Sequence, residues 1–167
     1  MHLDARHYES DEVLRDGGLV HVRAIRPDDK QRLLDLFHQL SARSVYFRFF
    51  RTKDWLTDEE LRYFTELDFV RNVALVATLH VDDDERIIAV GCYFGLGPTD
   101  EPCTRAEMAF TVDDAHQGRG LGTLLLVARS FRQYGIALVR PIEQRVANAD
   151  HRFGRRADLG NAPQGRQ

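Results

Sequence analysis

Two neighbouring stretches hold residue types arranged for chemistry. Residues 115–123 read A-H-Q-G-R-G-L-G-T, with Gly118, Gly120 and Gly122 at alternate positions between a strand-like run and a leucine-rich stretch. Glycine costs chain entropy on folding, so three at a strand-to-helix junction imply backbone that has to stay uncovered. A helix N-terminus offers unpaired N–H groups and partial positive charge, and glycines ahead of it let an anion reach them. The competing reading is a plain tight turn, for which two glycines suffice. Just upstream, residues 106–112 read A-E-M-A-F-T-V. At strand period, Ala106, Met108, Phe110 and Val112 share one face, while Glu107 shares the other with the small Ala109 and Thr111. A carboxylate there either accepts a proton from a bound group or is a solvated strand side chain, and strand position alone leaves both open.

The spacing of the loop excludes two common phosphate motifs. A dinucleotide G-x-G-x-x-G counted from Gly118 puts Thr123 where the third glycine belongs. A Walker G-x-x-x-x-G-K-[ST] counted from the same residue again meets Thr123, and no lysine follows. What remains is Q-x-x-G-x-G, read as Gln117, Gly120 and Gly122 with Arg119 between. Other candidates are weaker. His116 reads as a loop residue, and Tyr46, Phe47, Phe49 and Phe50 read as core at helical spacing. Asp82, Asp83 and Asp84 form an acidic hairpin tip without further ligands, which reads as a solvated turn.

Positioning these residues requires an α/β framework. Residues 19–26, L-V-H-V-R-A-I-R, alternate as a half-buried strand does. Pro27, Asp28 and Asp29 then open a helix carrying Leu33, Leu36, Phe37 and Leu40 at helical spacing. A second short helix fits residues 41–50, and Thr57 with Glu60 forms a capping box for a third, through about Leu67. Residues 72–80 and 86–95 pair as a hairpin around the charged turn 81–85, and residues 105–112 add a strand. A helix over 121–134 ends at Gly135, and residues 136–139 make one more strand.

Composition bounds the function. The chain has 167 residues, enough for one domain with a sizeable core. Its 23 basic and 26 acidic residues give a formal charge of −3, so no overall field favours nucleic acid. Cys92 and Cys103 are the two cysteines and form no metal or redox spacing, which fits a reducing, cytoplasmic setting. No apolar run reaches the ~18 residues of a membrane span.

Three segments, D-G-G-L-V-H-V-R-A-I-R-P-D-D, S-V-Y-F-R-F-F and A-E-M-A-F-T-V-D-D-A-H-Q-G-R-G-L-G-T-L-L-L, occur here in that order. Together they resemble the GCN5-related N-acetyltransferases (GNAT), and within them the protein-lysine acetyltransferase branch. The resemblance implies an α/β acyl-CoA N-acyltransferase fold, a central, mostly antiparallel mixed sheet flanked by helices. It implies acetyl-CoA as co-substrate and no metal, with an amine acceptor that is a small molecule or a protein lysine, and neither nucleic acid nor membrane as partner. Gln117, Gly118, Arg119, Gly120, Leu121, Gly122 and Thr123 would wrap the CoA pyrophosphate. The backbone of Phe110, Thr111 and Val112 would bond the pantetheine arm, and Glu107 would be the general base.

The expected organisation is a polar extension over residues 1–15, the acetyltransferase domain over 16–139, and a divergent, partly disordered tail over 140–167. The family normally continues with a helix opening near E-N-x-x-M, a final strand pair and a tyrosine that protonates the leaving thiolate. Residues 140–167 lack that pattern, so C-terminal elements of the fold are expected to be divergent or missing. An uncovered sheet edge would then favour a homodimer. The alternative function is a catalytically degenerate module that binds CoA or docks on a protein.

Overall fold

A computed structural model of the chain describes residues 5–49, 51–82, 84–98, 105–127 and 137–141. Six strands form one sheet in the order of the chain: β1 (Glu9–Val13), β2 (Leu19–Ala24), β3 (Asn72–Val81), β4 (Asp84–Gly95), β5 (Arg105–Val112) and β6 (Ala137–Pro141). Neighbours from β1 to β5 are antiparallel, and β6 joins β5 in parallel, which gives the mixed, mostly antiparallel sheet expected. Among the described residues four helices flank it: α1 (Lys30–Gln39), α2 (Ala42–Phe49), α3 (Asp58–Thr65) and α4 (Leu121–Val127). The expected end of α4 at Gly135 and the tail from residue 142 lie outside the described residues, as do Phe50, Asp83 and Cys103.

Local chemistry accounts for the element limits. Proline starts a single 3-10 turn, Pro27–Asp29, which feeds directly into α1. At α3, Thr57 Oγ1 accepts from the Glu60 N–H at 3.2 Å, while Glu60 Oε2 accepts from the Thr57 N–H at 2.9 Å. That is the capping box read from the sequence. The β3–β4 hairpin is tighter than the charged stretch suggests, because Asp82 takes φ +52° and Val81 already pairs with Asp84. Aspartate tolerates this left-handed conformation better than most residues.

The N-terminal boundary differs from expectation. Residues 9–13 are not an extension outside the domain but the edge strand β1, paired with β2 from Glu9↔Arg23 to Val13↔Leu19. Their sequence, E-S-D-E-V, lacks an apolar alternation because neither face of this edge is buried. Charge along an open edge also discourages pairing with other chains.

The two faces of the sheet carry different layers, as adjacent residues of β4 show. A methyl group built at Gly91 would lie 3.0 Å from Leu125 Cβ of α4. The next residue, Cys92, meets Arg48 of α2 instead. Since successive strand residues point to opposite faces, α4 covers one side and α1–α3 the other. Leu121 and Leu125 are buried with the sheet core, while Leu33, Phe37, Val45, Phe49, Leu56 and Leu61 form a second cluster among the helices.

A buried charge network ties the sheet to α1. The Arg23 guanidinium, 2% exposed, donates to both carboxylate oxygens of the fully buried Asp29 at 2.7 and 2.8 Å. It also holds Glu85 at 2.7–2.8 Å. These bonds outweigh the cost of burial and raise the Arg23 pKa further above neutrality.

Candidate active site

The glycine loop begins where β5 ends. Asp113 caps a 3-10 turn over Asp114–His116, its carboxylate accepting from the Ala115 N–H at 3.2 Å. The chain then passes through Gly118 at φ +77° and Gly120 at φ +94° before α4 starts at Leu121. Both conformations strain a residue with a Cβ. Gly122 differs: its φ is ordinary, and a methyl group built there would touch nothing within 4 Å. The described residues therefore give no packing reason for glycine at 122.

Arg119 is already engaged. Its Nε donates to Asp16 Oδ2 in the β1–β2 turn at 2.5 Å. Gln117 Nε2 donates toward Val112 O, Asp114 Oδ1 and Ser44 Oγ at 3.2–3.3 Å, which folds its side chain across the mouth of the site. His116 is turned inward: its Nδ1 lies 3.1 Å from Oδ2 of the buried Asp113, which also binds Arg86.

Strand β5 has two distinct edges. Toward β4 it is paired throughout, with Phe94 opposite Glu107, Cys92 opposite Ala109 and Val90 opposite Thr111. Toward β6 the register breaks between Ala106 and Met108, at the position of Glu107. Among the described residues that pairing goes no further than Met108↔Pro141. Among the described residues, Phe110, Thr111 and Val112 thus lie beyond the last β6 partner, on a strand whose other edge is held by β4. Glu107 is half-buried, on the face of Ala109 and Thr111, and no hydrogen bond or ion pair engages it among the described residues.

Helix α2 supplies the opposite wall. A cleft of about 460 Å³ is lined by Arg43, Ser44, Phe47 and Arg48 from α2 and by Phe110, Thr111, Val112, Asp114 and Gln117. Four of the residues singled out in the sequence, from β5 and the loop, therefore share one cleft. The aromatic run of α2 does not all belong to the core: Phe49 is buried, but Tyr46 and Phe47 are 50% and 60% exposed. A helix packed on one side exposes such neighbours whenever aromatics fill both faces.

The tie between α2 and the loop was not visible in the sequence. Asp114 accepts from the Ser41 N–H at 2.8 Å, from Ser41 Oγ at 3.0 Å and from Ser44 Oγ at 2.8 Å. These donors, the Ser41 amide first, hold its carboxyl below the usual aspartate value. The signal is a second aspartate at the end of a strand, too common to single out. Among the described residues no cluster of three or more His, Cys, Asp or Glu side chains is arranged to hold a metal. No described helix is long and apolar enough to cross a membrane.

Residues 37–151 match the model of the acetyltransferase (GNAT) family. The chain belongs to that family. Within it, the GNAT domain of S. lividans PAT is 40% identical, with a TM-score of 0.70 over 77% of this chain and 74% of that domain. Acetyltransferase Pat of Mycolicibacterium smegmatis is 31% identical over 119 residues, 69% of this chain and 33% of the relative. Acetyltransferase PA5475 of Pseudomonas aeruginosa is 28% identical over 115 residues, 69% of this chain and 60% of the relative. The chain thus spans 60% of one curated relative and a third of the other. GNAT enzymes are acyltransferases, and both layers around the sheet agree with their architecture.

Proposed function

We propose that this chain transfers the acetyl group of acetyl-CoA to a primary amine, with protein lysines as the acceptor class. The observation that carries the reading is the opening of β5 beside β6. Among the described residues no strand pairs with Phe110–Val112 on the side away from β4, which suits the amides of a pantetheine arm added as a partial strand. That edge leads at one end to the glycine loop and at the other to Glu107. A pyrophosphate on the N–H groups from Gly118 to Thr123 meets the positive end of α4, and the missing side chain at Gly122 leaves room for it. The resemblance of the three sequence segments to the protein-lysine acetyltransferase branch favours a protein lysine as acceptor.

Acyl transfer needs a neutral amine, whereas lysine is protonated at neutral pH with a pKa near ~10.4. Glu107 takes the amine proton, directly or through a water. The neutral amine nitrogen then attacks the thioester carbon, the carbonyl electron pair moves to oxygen, and its return expels the thiolate of CoA, while a second proton leaves the nitrogen for the thiolate or solvent and a neutral amide remains. Its small neighbours Ala109 and Thr111 leave the space that the acyl group and the acceptor require.

Thermal-shift titration of the chain with acetyl-CoA tests the reading, with Gly120→Glu as control. Ligand at a hundredfold excess over its dissociation constant stabilises a fold by about 2.7 kcal/mol. For this size that means a rise of several degrees. A shift that the control abolishes, followed by turnover that depends on Glu107, supports an enzyme. A cooperative melt unmoved by acetyl-CoA rejects it.

A further inference from the structure

Among the described residues, Arg48 is a cation without an acid. Its guanidinium lies against two aromatic faces, 5.1 Å from the Phe49 centroid and 5.4 Å from that of Phe64. Its hydrogen-bond contact among the described residues is Cys92 Sγ, at 3.8 Å from Nη2. No carboxylate pairs with it among the described residues, although the chain has 26 of them. Burial pushes the Cys92 thiol up, so the sulfur is neutral at pH 7 and supplies no counter-charge. Stacking on rings fixes the position of a guanidinium and lowers its exposure to water, which makes its charge act more strongly on its surroundings.

Its location follows from the strand register. Cys92 pairs with Ala109, so Arg48 stands over the middle of β5. Glu107 lies one same-face step toward the start of the strand, about 7 Å away along it. Thr111 and the glycine loop lie in the other direction. Arg48 also lines the cleft that Phe110–Val112 and Gln117 line, and it lines a small apolar cavity of about 40 Å³ beneath Thr111, Val90 and Cys92. Phosphates at the loop are at the far end of that path, so the group that reaches Arg48 is the thioester end.

We propose that Arg48 is a further catalytic residue, whose fixed guanidinium stabilises the negative charge that forms on the thioester oxygen and then on the departing sulfur. The proposal rests on the acetyl-CoA reading above. As the amine attacks, the carbonyl oxygen gains a full electron pair. When the C–S bond breaks, that pair re-forms the carbonyl and the bonding pair leaves on sulfur. The proton that Glu107 takes from the ammonium group passes to solvent, and the second proton, lost from nitrogen once the C–N bond has formed, ends on the thiolate. A cation between those two atoms lowers the energy of both anionic states and reduces the need for a separate proton donor at the sulfur.

The decisive experiment titrates the thiol of CoA bound to the full chain, followed by the ultraviolet absorbance of the thiolate. The expected result is a bound thiol that titrates at least about one pH unit below free CoA, as an adjacent cation requires. In Arg48→Met, which keeps an apolar side chain of similar length in the stack, that depression disappears. The same variant is expected to lose about 10²- to 10³-fold in kcat. Its acetyl-CoA dissociation constant stays within threefold, and added guanidinium ion restores part of the rate. A wild-type thiol that titrates as free CoA does overturns the proposal without any variant. So does an Arg48→Met protein that keeps its kcat. Failure of the chain to bind acetyl-CoA at all, seen in the melting titration, removes the underlying reading instead and is separately visible.

Discussion

Arg119 Nε and Asp16 Oδ2 close a contact across 103 residues of sequence, joining the glycine loop to the β1–β2 turn. The Arg15 N–H donates to Arg119 O at 3.3 Å beside it, and a Cβ at Gly120 would lie 3.2 Å from the Arg15 side chain. The first hairpin thus braces the loop, and one of the loop's cations is spent on an aspartate. The Arg119 hydrogen bond, followed by the Gly18 N–H, holds the Asp16 carboxyl below its usual 3.8, so the pair is ionised at neutral pH. Asp16→Asn is expected to release Arg119 toward a bound pyrophosphate and tighten acetyl-CoA binding about threefold at low ionic strength. The melting temperature should move by less than about 2 °C, because exposed ion pairs contribute little to stability. Calorimetric titration at two salt concentrations checks this, and weaker binding in the variant would show that the brace matters more than the charge.

Gly120 and Gly122 should respond oppositely to alanine. At Gly120, φ +94° and the nearby Arg15 side chain make a methyl group costly, about 1–3 kcal/mol of stability. At Gly122 the backbone is helical and the space is open, so alanine should stabilise the unliganded protein by about 0.4–1 kcal/mol. Gly122→Ala should nonetheless weaken acetyl-CoA, since the added carbon faces the pyrophosphate. Melting curves with and without ligand separate the two effects. A stabilised variant with unchanged affinity would move the pyrophosphate off this residue.

Why some of this could be read from the sequence and some could not has physical causes. Strand β5 was legible because A-E-M-A-F-T-V has a buried and an open face, and the period survives. The loop was legible because glycines at 118 and 120 answer a backbone demand that no other residue meets well. Strand β1 was not, since an edge with one exposed and one half-buried face imposes no apolar pattern. Arg48 was hidden inside V-Y-F-R-F-F, where hydrophobic spacing says core and says nothing about an arginine stacked between rings. The links from Asp114 to Ser41 and Ser44, and from Arg119 to Asp16, join segments about 70 and 103 residues apart, and no local pattern encodes them.

The Arg23 network should govern acid stability. The Arg23 hydrogen bond draws the Glu85 carboxyl from 4.5 down to about 2 in the folded chain, against the opposing effect of burial. A group with a depressed folded pKa contributes stability that is fully present above its unfolded value and is lost as pH falls through the folded one. Urea midpoints should therefore decline between about pH 4.5 and pH 2 in the wild type. Arg23→Met should remove this contribution and cost about 3 kcal/mol at pH 7, because the buried Asp29 loses its two-pronged partner and keeps only the Arg26 N–H and the longer Arg32 contact. An Arg23→Met protein as stable at pH 7 as the wild type would show that Arg32 and the Arg26 N–H suffice for Asp29.

Glu107→Gln isolates proton transfer from binding. The side chain has no partner among the described residues, so the substitution disturbs no hydrogen bond, and the acetyl-CoA dissociation constant should stay within about twofold. Turnover should fall by about 10²- to 10⁴-fold, the usual contribution of a positioned base. The variant should also acquire a distinctive pH dependence. Without a base, only amine already neutral in solution can react, and that fraction rises about tenfold per pH unit until it approaches the lysine pKa near ~10.4. The ratio of wild-type to variant rate should therefore shrink steadily as pH is raised. A constant ratio across pH 7 to about 9.5 would assign Glu107 a role in positioning the acceptor and leave deprotonation to water or to another group.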